Sequence, residues 1–177
     1  LVKNFNTSKF IVEEDIAGNY LDLQGIFHNK KFFRAGTCDS YFSNNLKKFS
    51  SFNPVEYLNI APSQLPPKLI DKAYNLLKKI CEKMKIDTGP VGADFVIKND
   101  KIYVIEVGPR IHGPNGSLKI MPEATGMKIV EFLGKSVCNE KKIDKNLLKI
   151  KKKDVAICKV FLEKQMPKKH GFKKNIN

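Results

Sequence analysis

Two carboxylates, Asp94 and Glu106, stand twelve positions apart on either side of a short polar turn, Asn99-Asp100-Lys101. The flanking residues are largely β-branched or aromatic, so the stretch reads as a hairpin with strands at 92–97 and 102–107. In that hairpin the two acids can face each other across the ladder. Facing carboxylates repel, and strand pairs ordinarily avoid them. A divalent cation removes the objection. Hard oxygen ligands on rigid strands suit Mg2+, which leaves its other positions to water and phosphate oxygens. By spacing alone, two unrelated solvent-facing acids remain the alternative. Arg110 follows Glu106 by four residues, at the mouth of the Gly/Pro-punctuated loop 108–116. A guanidinium there can meet an anion that the cation holds. Only two of the 32 basic residues are Arg, so an Arg at this point is a choice of chemistry rather than of charge.

The elements that must position these groups follow from periodicity. Residues 9–14 are β-branched and aromatic and stop before Gly18, which reads as a strand entering a loop. Residues 20–27 and 31–34 alternate around the turn-like His28-Asn29-Lys30, which suggests an antiparallel meander. Residues 36–60, rich in Ser, Asn and Phe, show no clean period and read as irregular. From 63 to 85, apolar residues at 69, 70, 73, 76, 77, 80 and 84 mark one helical face. Ser63 can cap its start, and Pro66 and Pro67 fit only a first turn. A second helix is expected over 127–137, then a Lys-rich linker at 139–153 and one more strand at 155–162.

Residues 86–137 resemble the C-terminal core of the ATP-grasp superfamily. The resemblance lies in Gly92-Ala93-Asp94-Phe95, in Tyr103-Val104-Ile105-Glu106-Val107-Gly108-Pro109-Arg110, and in Met121-Pro122-Glu123-Ala124-Thr125-Gly126-Met127. Upstream, Phe10-Ile11-Val12-Glu13-Glu14-Asp15-Ile16-Ala17-Gly18 looks like the hinge strand that reads adenine in that superfamily. The resemblance implies an α+β fold, an antiparallel sheet backed by two helices. Residues 1–138 would form the C-terminal lobe of the domain, with its N-terminal lobe in a preceding stretch. Residues 154–177 would start a small β-rich piece with a basic tail.

The resemblance also implies roles. Asp94 and Glu106 match the Mg2+ ligands that hold the ATP phosphates, with Mn2+ as an alternative ion. Arg110 matches the cation that steadies the transferred phosphoryl group. Glu13, Glu14 and Ile16 match the adenine-facing hinge. His112 and Asn115 lie in the loop that faces the second substrate. Two positions depart from the pattern. Gly108 replaces the usual Asn, and Glu106-Val107-Gly108-Pro109-Arg110-Ile111-His112 is similar to the run in the carboxyaminoimidazole ribonucleotide synthase branch, which also lacks that Asn. Tyr20 replaces the usual ribose-holding Glu. The implied reaction is ATP-dependent ligation of a small-molecule carboxylate, through an acyl-phosphate, to an amine or similar nucleophile. A degenerate fragment without activity, or a basic module that binds a polyanion, is the rival.

Charge bears on that rival. The net is +14, but residues 141–177 contribute thirteen basic against three acidic residues and so hold most of the excess. Lys, not Arg, dominates that segment, and bidentate phosphate or base contact favours Arg, which argues against nucleic acid. The composition, 42% hydrophobic and 28% charged, excludes wholesale disorder. No apolar run is long enough for a transmembrane span. Four cysteines without a CxxC pair read as free thiols. Together with the lack of a visible leader, they give a cytoplasmic expectation.

Overall fold

The computed structural model describes residues 11, 13–43, 55–113 and 116–159. Two hairpins anchor the sheet. The strands β1 (Asn19–His28) and β2 (Lys31–Ser43) join through Asn29-Lys30, and β4 (Gly89–Lys98) and β5 (Lys101–Gly108) through Asn99-Asp100. All four turn residues take positive φ, between 48° and 63°. Two-residue turns of this hand match the strand twist and favour Asn and Asp. With β3 (Val55–Ala61) and β6 (Ala156–Lys159), the six strands run in the order β5-β4-β1-β2-β3-β6, every pair antiparallel.

Period-two alternation gives each face its own core. On one face Leu21, Leu23, Val91, Ala93, Phe95 and Ile97 pack under α1 (Pro67–Lys83). The helix presents Leu69, Ala73, Leu77 and Cys81, a stripe at i, i+4 spacing, as its apolar pattern predicts. On the other face Ile26, Ala35, Cys38 and Ala61 meet α2 (Met121–Thr125) and α3 (Ile129–Val137) through Met121, Ile129 and Phe132. The α+β class and the helix-backed antiparallel sheet agree with the expectation.

Several elements differ from the sequence reading. Residues 36–43 and 55–61 are strands rather than irregular chain. Their alternation was hidden because both faces of β2 carry polar groups, with Thr37 and Asp39 on the α1 side and Ser40 on the other. Phe49 and Phe52 of this Phe-rich stretch lie outside the described residues. Residues 11 and 13–17 hold no strand, and 9, 10 and 12 of the expected hinge strand lie outside the described residues. Ser63 does not cap α1. The helix starts at Pro67 after Pro66, while the Ser63 hydroxyl donates to the Asp39 carboxylate. The helix expected at 127–137 starts at Ile129, because Gly126 in the left-handed region (φ 70°) ends α2 first.

The Lys-rich stretch is laid against the second core. Leu147 is buried in it, and the backbone amides of Lys151 and Lys152 both donate to the Thr125 carbonyl. Its lysine side chains stay exposed. β6 falls within the strand expected at 155–162, and it pairs with β3 at the sheet edge.

Tyr74 ties α1 to the sheet. Its hydroxyl accepts from the Gly36 amide at 3.1 Å and donates to the Gly36 carbonyl at 2.7 Å, fully inside the core. Tyr74→Phe is therefore expected to cost about 1–3 kcal/mol, because two buried backbone groups lose their partner. Urea denaturation measures it. A midpoint equal to that of the parent chain would contradict this assignment.

Candidate active site

The candidate residues gather on the face opposite α1. The ladder registers Asp94 with Glu106 across β4–β5, and Asp22 with Asp94 across β1–β4. Antiparallel partners project to the same side. Asp22, Asp94 and Glu106 therefore form one row of carboxylates over three adjacent strands. A register shift between Asp94 and Phe95 marks a bulge beside that row, a device that re-aims side chains next to sites.

The next row is nearly bare. Gln24 registers with Gly92, and Gly92 with Gly108. The missing side chain at Gly92 makes space for His112: a Cβ there would stand 2.6 Å from His112 Cδ2 and 2.7 Å from Nε2. His112 is 9% exposed, and its Nδ1 faces Asp94 Oδ1 at 3.3 Å. Its backbone amide donates to Gln24 Oε1 at 2.8 Å. Gln24, only 1% exposed, in turn donates to the Val91 carbonyl at 2.9 Å. The loop after β5 is thus pinned to the middle of β1. At Gly108 a Cβ would fit at ordinary contact distance, its nearest atom being Arg110 Cγ at 3.5 Å.

Asp22 is oriented from the other side. Ser40 donates to Asp22 Oδ2 at 2.6 Å, and Asn59 donates to the Ser40 hydroxyl at 3.0 Å. Burial outweighs that hydrogen bond. It pushes the Asp22 carboxyl up to about 7, helped by the charges of Asp94, Glu56 and Asp39. Asp94 is also raised, by burial first and then by Glu106, although His112 and Arg110 pull the other way. Burial lowers His112. At the open end, Arg110 donates to Glu106 Oε1 at 3.1 Å, both side chains being about half exposed. The arrangement is a row of carboxylates with one half-exposed cation at its mouth. It can hold a divalent ion and present a guanidinium to an anion beside it.

The pH dependence of Asp22 has a definite sign. Its folded-state pKa lies above the ordinary 3.8, so the folded chain binds the extra proton between about pH 4 and 7. Its contribution to stability falls as pH rises through that window. Asp22→Asn is expected to stabilise the metal-free chain by about 2 kcal/mol at pH 8, and hardly below about pH 4. Thermal melts under the two conditions test it, and an equal gain in both would contradict it.

The structure brings Asp94, Glu106, Arg110 and His112 together. Glu13 and Glu14 are exposed and Ile16 is half-buried, in a segment without regular structure. Asn115 lies outside the described residues. Tyr20 packs on Phe42, with ring centroids 4.7 Å apart, and both line a cavity of about 190 Å³ with Gly18, Asn19, Ser40 and Tyr41. The sequence reading missed Asp22, Gln24 and Ser40. A local signal exists for the first two: polar residues at alternate positions of the otherwise apolar run Leu21-Asp22-Leu23-Gln24. The other Arg, Arg34, is structural: it pairs with Asp71 and lies 4.7 Å over the Tyr74 ring.

A model of the ATP-grasp domain matches residues 2–114, more than half of the chain. The chain belongs to the ATP-grasp family. Among characterised relatives, this ATP-grasp chain is 37% identical over 73 residues to tyramine–L-glutamate ligase of Methanocaldococcus jannaschii, covering 41% of the chain and 22% of that protein. Matched stretches span only 7–22% of the curated relatives' own lengths. The fold is similar to that of phosphoribosylglycinamide synthetase from Anaerococcus prevotii, with a TM-score of 0.66 at 16% identity over 85% of this chain and 36% of that one. It is also similar to the biotin carboxylase domain of Hydrogenobacter thermophilus 2-oxoglutarate carboxylase, a structure in complex with MgADP and bicarbonate. There the TM-score is 0.58 at 16% identity, over 78% of this chain and 28% of that one.

Proposed function

We propose that this chain is the Mg-ATP-binding part of an ATP-dependent ligase, which activates a carboxylate as an acyl-phosphate and joins it to an amine or similar nucleophile. The observation that carries the reading is the registered pair Asp94–Glu106 with Arg110 bonded at its open end. The ligase relative at 37% identity joins an amine to an amino acid by its name, which supports the same bond type here. The MgADP-bound neighbour supports magnesium and nucleotide on this fold.

The residues divide the work. Asp94 and Glu106 hold the cation, and the oxygen-rich pair fits Mg2+. When bound, the cation neutralises phosphate charge and fixes the phosphates in place. Arg110 is free to leave Glu106 for the transferred phosphoryl group, because a half-exposed ion pair binds it weakly. There it stabilises charge that develops during transfer. The hinge residues Glu13, Glu14 and Ile16 face the adenine, and Tyr20 borders the cavity beside it. Tyr can share one hydrogen bond with a ribose hydroxyl where a carboxylate would accept two. Asn115 and His112 belong to the loop toward the second substrate, although the burial of His112 suits it to a different task.

The test uses the whole protein that carries this domain, with ATP, a panel of amino acids and other small carboxylates, and hydroxylamine as the nucleophile. Hydroxamate and ADP formed one for one, with a particular carboxylate, is the expected result. ADP release indifferent to both carboxylate and nucleophile would sink the ligase reading.

A further inference from the structure

Asp22 and His112 have no task in the mechanism above, yet both are built into the site. Each is held by a dedicated partner: Asp22 by Ser40 and Asn59, His112 by Gln24. Oxygen or nitrogen atoms of Asp22, Asp94 and His112 lie within 4.8 Å of one another. Two ligands on opposite sides of one ion stand about 4.2 Å apart, so small side-chain rotations close the set.

The imidazole supplies the independent observation. It is nine-tenths buried, and Nε2 has no hydrogen-bond partner. A neutral imidazole has one donor and one acceptor nitrogen. With the proton on Nδ1, Asp94 is satisfied and Nε2 is left as a bare buried acceptor. With the proton on Nε2, the Nδ1 lone pair faces carboxylates, which is repulsive unless a cation stands between them. A cation at Nδ1 resolves the second arrangement. The Arg110 carbonyl lies on the Nε2 side, 3.1 Å from where a Gly92 Cβ would stand. Gly108 sharpens the need: the glycine offers no side-chain oxygen, while Asp22 approaches Asp94 from β1 and His112 from the loop after β5.

We propose that Asp22 and His112 join Asp94 as ligands of a divalent cation, and that the imidazole nitrogen makes this site select Mn2+ over Mg2+. Mg2+ keeps to oxygen ligands and near-ideal octahedra. Mn2+ accepts the same carboxylates and water, and as a first-row transition metal it also takes imidazole. Ser40 and Gln24 are positioning residues, holding the ligands from outside. The proposal rests on the reading above in taking Asp94 as a cation ligand. It needs no nucleotide, so it fails separately from the ATP reading.

The test is a Mn2+ titration of the 177-residue chain by electron paramagnetic resonance without nucleotide, with Mg2+ as competitor. Mn2+ is expected to bind at least about tenfold more tightly than Mg2+. His112→Gln is expected to weaken Mn2+ about tenfold or more and Mg2+ by less than about twofold. Equal losses for the two ions, or no loss for either, would overturn the proposal. Electron spin-echo modulation on the unmutated chain covers the case in which that variant does not fold. Nitrogen coupling from a bound imidazole is expected, and bound Mn2+ without it overturns the assignment.

Discussion

Glu106→Gln is expected to lower ATP turnover by at least about 100-fold in the protein that carries this domain, with the fold intact. The substitution keeps size and one oxygen but removes the charge that faces Asp94 across the ladder. Cation affinity falls, because a neutral amide oxygen is a weaker ligand than a carboxylate and brings no charge. The fold has little reason to notice. Glu106 is about half exposed and its ion pair with Arg110 is at the surface. Such a change is ordinarily worth within about 0.5 kcal/mol. It also relieves Asp94 of a neighbouring charge that raises its pKa. The measurements are turnover against Mg2+ concentration and a thermal melt. Turnover equal to that of the parent protein would contradict the assignment of Glu106.

Arg110→Lys gives the second large effect. Both residues carry one positive charge, so encounter with ATP changes little. The guanidinium offers two parallel donors to a phosphoryl group, and an ammonium is a point charge. An interaction made chiefly during transfer shows in kcat rather than KM. The expected outcome is a kcat lower by about 100-fold, with the KM for ATP within about threefold. A change confined to KM would instead make Arg110 a ground-state binder.

The site was legible in part, for a physical reason. Asp94 and Glu106 belong to one hairpin, whose turn at Asn99-Asp100 sets their register locally. Arg110 follows in the same chain segment. Asp22 reaches Asp94 only through the β1–β4 pairing, across some seventy residues of intervening chain. No local pattern encodes such a pairing. His112 was visible as a loop histidine, but its burial depends on Gly92 and Gln24, one on each of two other strands. β2 and β3 were obscured for a related reason. Their polar residues serve contacts on both faces, so the alternation that betrays a strand is lost. α1 was the easiest element, because its stripe has a single neighbour, the sheet. Its start was misread because Ser63 serves Asp39 rather than the helix.

In the proposed reaction, Asp94 and Glu106 hold the ion that positions nucleotide phosphates for transfer to a carboxylate. Positional isotope exchange in ATP labelled at the β,γ-bridge tests it most directly, in the whole protein with its carboxylate and no amine. Carboxylate-dependent scrambling of the label is expected in the parent protein. None is expected in the Glu106→Gln variant, whose melting temperature is unchanged. Scrambling at the same rate in both proteins would contradict this role of Glu106.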